Sequence, residues 1–207
     1  MNQLPAGAEA ESLAQSPLFH ANFAALAQKT VVSDSSVSVQ EGKLLGHLAI
    51  RANADDKQIS SAFKSVLGVE LPSTLQSARS EEISIYWISP DEWLVVCPGE
   101  RAFSLEQELR SAMSGHFSIV NVSGGQTVLT LSGEHAREVL MKSTPYDVSD
   151  HNFPVAKVVT SVMAKSQAII CRKSDTTWEL IIRRTFSDYL WLWLQRACEE
   201  YGLIVQD

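Results

Sequence analysis

This sequence is short of positive charge, of cysteine and of long apolar runs, and each shortage removes a class of function. Its 17 lysines and arginines are outnumbered by 24 aspartates and glutamates, leaving a formal net charge of −7. A nucleic-acid binder needs a basic face to displace counterions from phosphates, and this balance argues against one. Cys97, Cys171 and Cys198 have no Cys-x-x-Cys spacing and cannot all pair. They read as reduced residues, in or near the core, of a protein from a reducing compartment. No apolar stretch approaches the ~20 residues that a bilayer-spanning helix needs. Residues 1–15 are small, polar and acidic, without the basic start and apolar centre of an export signal. The expected localisation is cytoplasmic, with no membrane partner.

Recognisable chemistry is equally scarce. There is no Gly-x-x-x-x-Gly-Lys-Ser/Thr or Gly-x-Gly-x-x-Gly loop, and Ser123-Gly124-Gly125 reads as a turn because a strand, not a helix, follows it. His20, His47, His116, His135 and His151 are scattered, without ligand spacing among themselves or with the cysteines, so no metal site is expected. No serine lies in a Gly-x-Ser-x-Gly elbow. Asp91-Glu92 and Glu199-Glu200 are adjacent carboxylates, but neighbours in a strand or helix point in different directions and make poor acid/base pairs. The residues themselves assign no catalytic, cofactor-binding or metal-binding side chain.

What is present is a repeat. Ser89-Pro90-Asp91-Glu92-Trp93 opens an apolar β run, followed by Phe103-Ser104 and a helix. Ser174-Asp175-Thr176-Thr177-Trp178 opens a second such run, followed by Phe186-Ser187 and another helix. Upstream, Leu48-Ala49-Ile50 precedes a helix ending Val66-Leu67, and Leu129-Thr130-Leu131 precedes one ending Val139-Leu140. With 45% apolar residues in a chain of 207, there is enough to bury a sizeable core. Duplication predicts two related halves packed together.

Residue patterns place strands at 44–51, 83–88, 93–97, 117–122, 127–131, 157–163, 167–173 and 178–183. Helices are expected to about Leu67 from a cap at Asn53 or Asp55, and at 104–113, 134–142 and 187–201. Gly68 suits the end of the first helix. The alternation predicts an α+β fold, with mostly antiparallel sheets carrying helices on one face. Residues 1–40 read as a partly flexible N-terminal arm, 41–123 as the first half and 124–207 as the second. Leu18, Phe19 and Phe23 give the arm apolar points for a partner or for the chain's own core.

In the last helix, Phe186, Tyr189, Leu190, Trp193, Leu194, Ala197 and Tyr201 share helical spacing and predict the core-facing stripe. Trp191 falls roughly opposite Tyr189 at ~100° per residue. It is either a partner contact or a surface covered by the arm.

Asn121-Val122-Ser123, Thr127-Val128-Leu129-Thr130-Leu131-Ser132-Gly133, Ala136, Val139-Leu140 and Asp147-Val148 resemble the aminomethyltransferases of the glycine cleavage system, with Asn121 where that family has Asp. Ser16-Pro17-Leu18, Ser89-Pro90-Asp91-Glu92-Trp93-Leu94, Gly133-Glu134-His135-Ala136-Arg137-Glu138-Val139-Leu140 and Arg183-Arg184-Thr185-Phe186-Ser187-Asp188-Tyr189-Leu190-Trp191 resemble more closely the gamma subunits of heterotetrameric sarcosine oxidase. The resemblance implies an aminomethyltransferase folate-binding-domain-like fold. It also implies a complex that oxidatively demethylates sarcosine to glycine, with hydrogen peroxide and formaldehyde or methylene-tetrahydrofolate. FAD, FMN, NAD, tetrahydrofolate and zinc are then expected in the alpha, beta and delta partner subunits, and none in this chain. The aminomethyltransferase carboxylate pair, carried over by alignment on Trp178, falls on Ser166 and Gln167, which cannot take a proton as a carboxylate does. The Lys-Gly-Cys signature of related tetrahydrofolate-binding repair proteins is absent. The expectation is a non-catalytic gamma subunit; the alternatives are a stand-alone tetrahydrofolate-binding aminomethyltransferase-like protein and a free scaffold.

Overall fold

The computed structural model describes residues 14–28 and 37–206. The expected flexible tail lies mostly outside the described residues. The arm enters as a 3-10 turn, Phe19–Ala21, and a short helix α1, Phe23–Ala27, capped by the Asn22 side chain. Strand β1, Val37–Gly42, leads into β2, Leu45–Ala52. Helix α2, Lys57–Ala62, starts where the Asp56 carboxylate accepts from Gln58 N at 2.8 Å, one residue beyond the expected Asp55 cap. It continues as a π-type turn through Leu67 and ends at Gly68, whose φ of +72° is the left-handed conformation a helix C-terminus asks for. The half is completed by β3, Ser77–Arg79, β4, Ser84–Ser89, β5, Glu92–Pro98, α3, Ala102–Ala112, and β6, Phe117–Asn121.

The second half repeats that order: β7, Gln126–Ser132, α4, Ala136–Ser143, β8, Val158–Met163, β9, Ser166–Arg172, β10, Thr177–Arg183, α5, Ser187–Cys198, and β11, Leu203–Gln206. The five-stranded sheet runs β3-β4-β5-β2-β6 and the six-stranded sheet β8-β9-β10-β7-β1-β11. The two orders correspond strand for strand, except that β1 is inserted between β7 and β11. The register corresponds too. Trp93 lies opposite Ile50 and Val95 opposite Leu48; Trp178 lies opposite Leu131 and Leu180 opposite Leu129.

The two sheets stack face to face and carry their helices outside. Leu48, Ile50, Trp93 and Val95 pack under α2 and α3. Leu129, Trp178, Leu180 and Ile182 pack under α1, α4 and α5. Between the sheets Tyr86, Leu94 and Val96 meet Ile169, Cys171 and Ile181. Central strands such as β5 are therefore buried on both faces, which explains their unbroken apolar runs.

Three differences from the sequence reading stand out. Residues 37–40, assigned to the arm, belong to β1, and Val37 and Val39 are fully buried in the six-stranded sheet. The last helix stops at Cys198, and Leu203–Gln206 forms β11, parallel to β1. Strand β3 was not foreseen. It is a short edge strand, and just before it Gln76 bridges to Lys157 beside β8.

Candidate functional site

The stacked sheets leave a groove of about 370 Å³ at one end of their interface. Its floor is apolar, from Ala49, Leu94, Ile169 and Ile181, and its rim is polar, from Glu92, Gln126, Thr160, Gln167 and Arg183. That size and mixture suit a small ligand or an inserted side chain. Glu92 is already engaged by Arg51 at 3.0 Å, whereas Gln126 Oε1 is buried without a hydrogen-bond partner.

The groove tests the carboxylate-pair alignment directly. Ser166 and Gln167 are neighbours on β9, so their side chains leave opposite faces of the sheet. Ser166 is buried, its Oγ without a partner, while Gln167 is exposed and lines the groove. Of the two aligned positions, only Gln167, a neutral amide, reaches the groove. Neither Ser166 nor Gln167 can take a proton as a carboxylate does.

Further back along β10 the interface is closed by a buried carboxylate. Glu179, 6% exposed, accepts from Tyr86 Oη at 2.7 Å and Arg79 Nη2 at 3.1 Å, and lies 2.7 Å from Lys173 Nζ. These partners come from both halves, so the cluster fixes one sheet against the other. Desolvation, with the Glu179 charge beside it, pushes the Tyr86 hydroxyl well above its ordinary pKa and keeps it a donor. Sequence reading missed this cluster. Its signal was available: a lone glutamate inside Trp178-Glu179-Leu180-Ile181-Ile182, a run buried on both faces.

Glu41, also missed, does comparable work for the arm. From a buried position on β1 it accepts from Ser16 Oγ at 2.7 Å, Leu18 N at 3.1 Å and Thr127 Oγ1 at 2.9 Å. The arm is thereby held against the six-stranded sheet. Leu18 and Phe23 enter that sheet's core, and the Phe23 ring packs, tilted, against Trp191 at 4.6 Å between centroids.

Trp191 is consequently 3% exposed and is not a partner contact of the free surface. Tyr189 and Phe186, expected on the core stripe, are 37% and 45% exposed. The arm supplies α5 with a second apolar neighbour, which rotates the buried face toward Leu190, Trp191, Leu194 and Cys198. Trp193 is only partly buried, its indole N–H donating to Ser143 Oγ at 3.0 Å.

The three thiols and His47 are shaped by burial. Burial pushes the Cys171 and Cys198 thiols up to about 11 and raises Cys97, so they stay protonated and unreactive at neutral pH. Burial lowers His47 to about 4, which keeps its imidazole neutral between the sheets. Asp91 and Glu199-Glu200 are exposed, and Ser123-Gly124 forms the tight turn between β6 and β7, with Gly124 at a φ of +80°. Among the described residues, no group of His, Cys, Asp and Glu is arranged to hold a metal, and no helix is long and apolar enough to cross a membrane.

Comparison with known proteins agrees with this architecture. The model of the sarcosine oxidase, gamma subunit family matches residues 51–200. Sarcosine oxidase subunit gamma of Arthrobacter sp is 28% identical over 197 residues, spanning 94% of both chains. The protein of the same name from Corynebacterium sp. (strain U-96) is 26% identical over 197 residues. Among solved structures, heterotetrameric sarcosine oxidase from Corynebacterium sp. U-96 in complex with pyrrole 2-carboxylate aligns with a TM-score of 0.80 and 25% identity, over 90% of this chain and 95% of that one. Aminomethyltransferase T of the glycine cleavage system from Bartonella henselae shares the fold at a TM-score of 0.60 and 12% identity, over 83% of this chain and 48% of that one. The family's pattern runs through most of the sequence and its fold through nearly all of it: the chain belongs to the sarcosine oxidase gamma subunit family.

Proposed function

We propose that this chain is the non-catalytic gamma subunit of a complex that oxidises sarcosine with dioxygen. The products are glycine, hydrogen peroxide, and formaldehyde or methylene-tetrahydrofolate. Its partners are the alpha, beta and delta subunits, which carry FAD, FMN, NAD, the tetrahydrofolate site and zinc, and the complex works in the cytoplasm. The observation that carries this reading is the match to a heterotetrameric sarcosine oxidase at a TM-score of 0.80. Support from the residues is chemical: of the two positions aligned with the aminomethyltransferase carboxylate pair, Ser166 is buried and Gln167, a neutral amide, lines the inter-sheet groove, whose one carboxylate, Glu92, is paired with Arg51.

Co-expression with the partner subunits tests it. Affinity-tagged chain should bring down a flavin-coloured complex that makes peroxide from sarcosine, while the chain alone is colourless and inactive. Calorimetric titration of the isolated chain with tetrahydrofolate should show no functional binding. Micromolar folate binding lost on substitution of Gln167 would favour a stand-alone folate-binding protein instead.

A further inference from the structure

The groove between the sheets runs across the strands as a slot. One wall crosses the end of β6 and then β2, β5 and β4, at Val122, Ala49, Leu94 and Ile88. The other crosses β7, β10, β9 and β8, at Gln126, Arg183, Gln167 and Thr160. Four adjacent strands spaced ~4.8 Å apart make the slot about 14 Å long.

Strand register carries both walls beyond the groove itself. Val120 pairs with Ala49 and Val162 with Gln167, and residues directly opposite in an antiparallel pair share a face. Both valines therefore look to the same side as the groove lining, and they are 50% and 49% exposed. Strand β4 lies against β8, so Val120 on β6 and Val162 on β8 stand at opposite ends of the slot. A small molecule seated in the central 370 Å³ would leave both valines bare. An extended segment of about four residues, at ~3.3 Å each, runs the length of the slot and covers them.

The polar groups of the slot are unmatched in the same sense. Gln126 Oε1 is buried without a donor, and a backbone N–H of an inserted segment would satisfy it. Two charged residues line the slot. Glu92 is bonded by Arg51, its ladder partner, at 3.0 Å. Arg183, exposed at the rim, has no carboxylate partner among the described residues. The charge left over is positive, in a chain of net charge −7. A second copy of this chain meeting slot to slot would set one concave surface against another and fill neither.

We propose that the slot receives an extended segment of a partner subunit, with a carboxylate for Arg183 between apolar side chains for the floor and the two valines. The assignment rests on the gamma-subunit reading and adds the surface and the chemistry of its occupant.

The test is pull-down of the co-expressed complex through a tag on this chain. Wild type and the control Arg196→Glu, which reverses an exposed arginine on α5, should retain the partner subunits. Arg183→Glu should bind them roughly thirtyfold more weakly or worse, as when a desolvated charge pair is broken. Gln167→Trp, which fills the slot with an indole, should also weaken binding, with the melting temperature of each isolated variant unchanged. A photo-crosslinking benzoylphenylalanine at Val162 should capture a partner peptide that carries Asp or Glu among apolar residues. Retention of the partners by both slot variants overturns the inference and leaves the gamma-subunit reading standing. Equal loss in Arg196→Glu also overturns it, because net charge and not the slot would then set binding. A crosslink to this chain's own sequence assigns the slot to the chain itself or to a second copy, and overturns the inference too. If wild type brings down no partner, both readings fall.

Discussion

The ring of Phe23 lies on the indole of Trp191, centroids 4.6 Å apart and planes at 41°, so the arm closes over the one face of α5 that spacing alone leaves bare. Trp191→Ala should therefore lower the stability of the isolated chain by about 3–5 kcal/mol. Phe23→Ala should lose a comparable amount, and the two losses should not add, because each removes the other's neighbour. Urea denaturation of both single variants and the double variant measures this. Independent, additive effects would mean that the contact is not made in solution.

Glu41 gives the arm its polar hold. Glu41→Ala leaves Ser16 Oγ, Leu18 N and Thr127 Oγ1 without their acceptor. The expected loss is about 1–3 kcal/mol, with faster proteolysis within residues 14–28. Glu41→Gln keeps an acceptor oxygen and should fall between the two. Mass spectrometry of limited digests reads the site of cleavage.

His47 makes stability depend on pH. Its folded value of about 4 lies below the ordinary 6.5. Between those values the unfolded chain takes up a proton that the folded chain refuses, so stability rises with pH. The His47 contribution should be complete above about pH 6.5 and fall by about 3 kcal/mol as the pH drops to 4. His47→Leu removes it. The stability difference between wild type and the variant, measured by denaturant titration at several pH values, should change across that window and stay flat above pH 7.

The thiols should be slow to react. Cys97, Cys171 and Cys198 are all buried, and burial raises each pKa. Alkylation at pH 8 should proceed only after denaturation, and then modify all three. Rapid labelling of one thiol in the native chain would show that its surroundings open.

Much of the fold was legible because its strands carry strong local signals. Trp93 and Trp178 each head an apolar run, the second interrupted only by Glu179, and both sit at the register position that the repeat implies. Strand β1 was illegible because Val37 and Val39 stand in a Ser-rich stretch, where two apolar residues do not outweigh the turn-forming ones. The last helix was read on to Tyr201, which keeps helical spacing and packs against the same core, and β11 beyond it, only four residues long, was left unassigned. The candidate site was partly legible. Gln167 could be placed by its alignment with Trp178, but its groove depends on two sheets meeting, which no local pattern encodes. Trp191 was misplaced for a related reason: a helical wheel shows one buried face, and the arm adds another.

The strand inserted between β7 and β11 sets an order on assembly during synthesis. All strands of the five-stranded sheet lie between Leu45 and Asn121, so that sheet can close while the rest of the chain is still being made. Strand β1 precedes every other described strand, yet its neighbours are β7 and β11, and β11 ends at Gln206. Until those segments leave the ribosome, Val37 and Val39 have no sheet to join. The second half is thus completed by pairing the first described strand with the last, a long-range parallel contact of the kind that forms slowly.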